Sequence, residues 1–194
     1  MSDEPLYRIE AIPDKCRACR RCEIACIAAH HGLTFKEAMK RRDDLVSRVR
    51  VIKEEAFKTT VRCHQCVPAP CVEVCPMTAL QQEANCEITM RVQFCAACKM
   101  CIQVCPYGAI DMESIGMPGE DEETMAQRAR KDVAVRCDMC KAWRISEGKK
   151  LPACVEACPA RALSMVGSDG SVHLPPPPPP KQKGAKEEED KAEE

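Results

Sequence analysis

Seventeen of the 194 residues are cysteine, and sixteen of these fall in four short runs. Cys16, Cys19, Cys22 and Cys26 are spaced C-x2-C-x2-C-x3-C, and Cys95, Cys98, Cys101 and Cys105 repeat that spacing ahead of Pro106. Cys63, Cys66, Cys71 and Cys75 follow C-x2-C-x4-C-x3-C, with Pro76 behind them. Cys137, Cys140, Cys154 and Cys158 carry 13 inserted residues before the third cysteine and end on Pro159. Thiolates at two-residue intervals wrap three corners of an iron–sulfur cubane, and the fourth, three residues on, faces away and serves a second cluster. Proline after the fourth fixes φ and lacks an N–H, which suits a chain leaving the site abruptly. A four-thiolate zinc site needs only two cysteine pairs, so run four alone could be a zinc ribbon. Runs one and three could not easily be, because their third cysteine crowds a tetrahedral ion. Iron–sulfur is the reading; a zinc-binding scaffold or sensor is the rival. Disulfides fit poorly with an odd count and such tight spacing, and the start "MSDEPLYRIE" lacks the features of a secretion signal. The expected setting is a reducing cytoplasm.

Chain lengths suggest which runs pair. Nineteen residues separate Cys75 from Cys95, enough for a return strand and a hairpin, whereas 36 separate Cys26 from Cys63 and 31 separate Cys105 from Cys137. Runs two and three then form an inner two-cluster unit, and runs one and four an outer one that encloses it. Crossing the fourth ligands gives four [4Fe–4S] clusters. Cys16, Cys19 and Cys22 take Cys158; Cys137, Cys140 and Cys154 take Cys26. Cys63, Cys66 and Cys71 take Cys105, while Cys95, Cys98 and Cys101 take Cys75. The domains expected are residues 1–62 with 132–174 (outer), 63–131 (inner), and 175–194 as a polyproline and charged tail too poor in apolar residues to order itself.

The elements that must hold these runs are short. "EIACIAAHH" predicts a helix carrying Cys26, and Thr34 with Glu37 predicts a capping box for a second helix to about Arg42. "VSRVRVIK" and "DVAVR" predict strands from their β-branched density. A short helix is expected after each fourth cysteine, and a loop from Ser114 to Lys131. Cys86 is expected on the inner hairpin as a free thiol, His30 and His31 as a solvated pair, and Trp143 as packing over a cluster. Arg17, Arg20 and Arg21 crowd the first run, either as an ordinary exposed face or as a docking patch for an acidic partner.

Composition narrows the function. Six aromatics are few for a core of this size, so the cofactors themselves are expected to fill it. The net charge of −1 gives no basic excess for nucleic acid, there is no phosphate-binding glycine loop, and no apolar run approaches a membrane span.

The ordered set "CRACRRCEIACIAAH", "CHQCVPAPCVEVCPMTAL", "CAACKMCIQVCPYGAI" and "CDMCKAWRISEGKKLPACVEACPARAL" resembles the four motifs of a known family over residues 7–166. These are the four-cluster, ferredoxin-type electron-transfer subunits that accompany molybdenum oxidoreductases (the DMSO reductase and formate dehydrogenase type), formate hydrogenlyase and carbon monoxide dehydrogenase. Ile27 stands where a ferredoxin has proline, as in many first runs of that family. The resemblance implies an α+β fold of two nested bacterial-ferredoxin-like units, four [4Fe–4S] clusters and no catalytic residues. "HHGLTFKEAMKRRDDL" adds a local likeness to the carbon monoxide dehydrogenase-associated member. The resemblance therefore implies a relay from carbon monoxide dehydrogenase, or from formate dehydrogenase, to a hydrogenase or other acceptor. It would lie in the cytoplasm and touch the inner face of the membrane only through a partner.

Overall fold

Short runs of β-branched and helix-forming residues, interrupted every few positions by a cysteine loop, cannot build long elements, and the computed structural model contains none. It describes residues 5–116 and 130–177, a mixture of short helices and small antiparallel sheets. The order is β1 (Tyr7–Ala11), α1 (Arg21–His31), α2 (Phe35–Lys40), β2 (Val49–Lys53), β3 (Lys58–Arg62), α3 (Pro70–Glu73), β4 (Leu80–Gln82) and β5 (Ile88–Met90). There follow α4 (Met100–Val104), β6 (Asp111–Gly116), β7 (Arg130–Val135), α5 (Lys141–Ser146), α6 (Ala153–Glu156), β8 (Leu163–Gly167) and β9 (Val172–His173).

Each strand has an antiparallel partner. β1 pairs with β8, Ile9 opposite Met165, so residues near the two ends of the described chain lie side by side. β9 adds to the far edge of β8. β2–β3, β4–β5 and β6–β7 are two-stranded. The β4–β5 ribbon is the hairpin expected between the inner runs, with Cys86 in its turn at φ 66°.

α1 and α2 form as the sequence dictates. Ile27, 1% exposed, lies inside α1, where proline would break the helix; its presence lets the helix run through Cys26 to His31. The Thr34 hydroxyl accepts from the Glu37 N–H, and the Glu37 carboxylate accepts from the Thr34 N–H, a complete capping box.

Three expectations need correction. Short helices precede the fourth cysteine in runs two and four: α3 starts on Pro70 at its first turn and α6 follows Pro152. After Cys75, Cys105 and Cys158 the chain turns through Thr78, Gly108 and Arg161, all at φ between 49° and 56°, and proceeds into β4, β6 and β8. Ser114–Gly116 and Arg130–Lys131 are paired strand, not loop; the rest of that predicted loop, residues 117–129, lies outside the described residues, as does the tail from 178. β2 begins at Val49, so Val46 is not part of it.

Candidate functional site

The four cysteine runs share one backbone pattern. In each, the residue two after the first cysteine has a left-handed φ: Ala18, Gln65, Ala97 and Met139, at 52° to 58°. None is glycine, and a non-glycine residue held there costs on the order of 1 kcal/mol or more. Arg20 and Lys99, before the third cysteines of the compact runs, are left-handed too. Alternating right- and left-handed residues turn successive N–H groups toward one point and make an anion-binding hollow, a form recurrent at iron–sulfur sites.

The structure brings the cysteines of different runs together. Cys16, Cys19, Cys22 and Cys158 line one pocket; Cys75, Cys95, Cys98 and Cys101 line another. Burial, then nearby Cys63, Cys105 and Cys66, raise the Cys71 thiol to about 11, although Arg136 draws it down. Burial raises Cys154 well above the ordinary thiol value, with Cys137, Cys140, Cys26 and Cys22 adding to it. Burial likewise takes Cys22 up to about 12, Glu23 and then Cys158 contributing. Cys137 also reaches about 12, through burial with Cys26 and Cys63 among its neighbours. Two pockets thus each gather three cysteines of one run with the fourth cysteine of another.

Hydrogen-bond donors already point at the fourth sulfurs. Ala109 N–H donates to Cys105 Sγ at 3.4 Å and Ala162 N–H to Cys158 Sγ at 3.2 Å, each from the residue four places on. In run one the helix continues past the fourth cysteine, and Arg48 N–H supplies the bond to Cys26 Sγ at 3.3 Å. Soft sulfur donors gathered from two runs and met by N–H groups fit an iron–sulfur cluster.

Sequence reasoning missed the polar network around the group of Cys26. His30 was expected in solvent, yet its side chain is 9% exposed; one ring nitrogen meets Asp138 at 2.9 Å and the other the Cys26 carbonyl at 2.7 Å. Burial alone would lower its pKa, but the Asp138 and Cys26 contacts outweigh that and hold it up at about 10. Asp138 also accepts from Arg48 at 2.6 Å and from the Cys140 N–H. His31 pairs with Glu113 at 3.0 Å and is not solvated either. Four-residue helical spacing from Cys26 to His30 was the available signal. Trp143 packs beside Ala25, Cys140 and Ala153. Cys86 is half-buried on its turn and belongs to no group.

Arg17, Arg20 and Arg21 are exposed beside exposed Cys19, and the Arg21 guanidinium lies 5.0 Å from the Phe35 ring centroid, which orients it. Changing all three to Glu should slow electron delivery from a small acidic redox protein roughly tenfold or more at low salt, with the gap closing toward 1 M salt. Stopped-flow reduction at several ionic strengths measures it; an unchanged rate would leave these arginines an ordinary solvated face.

Among the described residues, no helix is long and apolar enough to cross a membrane. No family model matches the chain. Its relatives are informative. It is 39% identical over 165 residues to an "Iron-sulfur protein" of Rhodospirillum rubrum, which covers 83% of this chain and 82% of the relative. It is 34% identical over 158 residues to the electron transport protein HydN of Escherichia coli, with 81% and 86% covered. Hydrogenase-4 component A of Escherichia coli is 30% identical over 183 residues, with 83% and 82% covered.

Proposed function

The chain belongs to the family of ferredoxin-type iron–sulfur electron-transport proteins, and we propose that it relays electrons through four [4Fe–4S] clusters between a catalytic oxidoreductase subunit and a hydrogenase. The observation that carries this reading is the pair of pockets in which three cysteines of one run meet the fourth of another, Cys16, Cys19 and Cys22 with Cys158 and Cys95, Cys98 and Cys101 with Cys75. Cys16, Cys19, Cys22 and Cys158 would hold the first cluster, and Cys137, Cys140, Cys154 and Cys26 the second. Cys63, Cys66, Cys71 and Cys105 would hold the third, and Cys95, Cys98, Cys101 and Cys75 the fourth. Clusters held by four thiolates have no open iron position, so they supply one-electron transfer rather than substrate chemistry. Two nested ferredoxin-like units are the architecture that such crossed ligation implies.

The sets would then follow one another in a line, Cys22 acting on Cys154 between the first and second, Cys63 on Cys137 between the second and third, and α3 packing on α4 between the third and fourth. Cys19 and Cys98, the two exposed thiols among the sixteen, belong to the first and fourth. A line of buried carriers with one exposed ligand at each terminal set is what a wire between two partners requires. A hydrogenase as one partner is supported by the relative named hydrogenase-4 component A. Carbon monoxide dehydrogenase as the other rests on the local likeness of residues 30–45.

Iron and acid-labile sulfide analysis tests the relay. About sixteen of each per chain are expected for four cubanes; zinc with no sulfide would establish the scaffold reading instead. Affinity purification of the native complex identifies the donor, and recovery of formate dehydrogenase in place of carbon monoxide dehydrogenase would reassign it.

A further inference from the structure

Two charged side chains are buried among the described residues, Arg62 at 3% exposure and Arg136 at 4%. They occupy the same place in the repeat: "VRC" opens both run two and run four, whereas Lys15 and Phe94 stand in that position in the other two runs. Neither forms an ion pair with a carboxylate among the described residues. Arg62 donates through Nε and Nη2 to the Ile9 carbonyl, at 2.9 and 2.6 Å, and through Nη1 to the Thr60 carbonyl and hydroxyl. Arg136 donates through Nη1 to the Cys137 carbonyl at 2.8 Å, and its Nε has no hydrogen-bond partner.

A guanidinium stays charged, and burying one without an anion costs several kcal/mol. Carbonyl bonds satisfy some of its donors but leave the charge uncompensated. Cysteine sulfurs would supply the compensating anions, with the Glu10 carboxylate also acting on Arg62. Arg62 directly precedes Cys63, yet its guanidinium is bonded to Ile9 of β1; burial draws its pKa down, and Cys137, Cys154, Glu10 and Cys22 oppose that. Arg136 directly precedes Cys137, yet it acts on Cys71. Gln65 crosses in the same way: its side chain donates to the Cys137 carbonyl at 3.2 Å and accepts from Ile88 N–H at 3.0 Å. Arg62 of run two is thus bonded to the first strand of the outer unit, and the Cys137 carbonyl that holds Arg136 also holds Gln65 of run two.

We propose that Arg62 and Arg136 are reciprocal positioning charges at the junction of the two units, each raising the reduction potential of clusters held by the other unit's cysteines. The proposal rests on the cysteine sets being cluster sites, which the iron and sulfide content of the unsubstituted protein decides separately. A fixed positive charge stabilises the more negative, reduced state. Removing it makes reduction harder. Arg62→Gln should lower the potentials of the sets containing Cys154 and Cys22, and Arg136→Gln that of the set containing Cys71. The fourth set, with Cys98, should stay where it is in both.

The expected fall is about tenfold in the one-electron reduction equilibrium, about 59 mV. That is the size of the Coulomb interaction of unit charges roughly 12 Å apart at an effective dielectric of about 20. Redox titration of the purified four-cluster protein, followed set by set by electron paramagnetic resonance, reads it. Arg62→Lys and Arg136→Lys keep the charge but not the forked hydrogen bonds, and should hold their potentials near the unsubstituted values. If a Gln variant fails to retain its clusters, iron content replaces potential as the readout: retention in Lys but not in Gln supports charge compensation. Equal behaviour of the Lys and Gln variants by either readout, or an equal shift of all four sets, overturns the proposal.

Discussion

Removing the iron should abolish the fold. Chelation of the reduced protein is expected to convert its far-ultraviolet circular dichroism from that of a folded mixture to that of a largely unfolded chain, and addition of iron and sulfide should restore it. The reason lies in what the core is made of. Among the described residues, prolines aside, nine of the 32 buried apolar residues are cysteines and none is aromatic. The helices run from 4 to 11 residues and three of the sheets are two-stranded, and neither is stable in water without something to pack against. The cysteine loops add strain, since each holds a non-glycine residue at left-handed φ. Burial that raises Cys22 and Cys137 to about 12 keeps those thiols protonated in the absence of metal. Iron must displace those protons, and the free energy of binding it then becomes folding free energy. Native-like dichroism in iron-free protein would mean that side-chain packing alone holds the chain together.

The cysteine framework was legible because ligand spacing is local: a loop that wraps a cubane is written in consecutive residues. The grouping of runs one with four and two with three is an expectation from chain lengths, since a nineteen-residue segment closes a hairpin more readily than a longer one, and the β4–β5 hairpin is the part of it that the structure gives. The α2 capping box was equally readable, being a four-residue signal. What escaped was either tertiary or read against the wrong neighbour. Helix placement in runs two and four turns on Pro70 in the first turn of α3 and Pro152 at the N-cap of α6, both ahead of the fourth cysteine. His30 reads as surface on a polar-ended helix, yet Asp138, 108 residues away, draws it inward. Arg62 and Arg136 look like ordinary charges beside cysteines, yet both are buried, and the repeated dipeptide before Cys63 and Cys137 was the one trace of it.

Burial also separates cysteines that spacing treats as equal. Replacing Cys154 by serine should cost far more than replacing Cys19, although both are assigned as third or second ligands within their runs. Cys154 is 3% exposed, in α6, which packs against α1, with Ala153 and Val155 buried on either side of it. It lies within reach of Cys137, Cys140 and Cys26 of its own set and of Cys22 of the first. A serine there loses the sulfur ligand and buries a hydroxyl whose unmet hydrogen bond costs about 1–3 kcal/mol. The loss falls where both outer sets and both outer helices meet, so the disturbance should spread to the first cluster as well. Cys154→Ser is expected to retain about eight of sixteen irons or fewer, with a thermal midpoint well below that of the unsubstituted protein. Cys19 is exposed, and solvent or the serine oxygen can stand at its corner, so Cys19→Ser should lose no more than about four irons. Cys86→Ser, outside every set, should keep them all. Iron per chain and thermal unfolding of the three variants decide the matter: equal losses from Cys154→Ser and Cys19→Ser would detach cluster retention from burial, and iron loss from Cys86→Ser would make that residue a ligand.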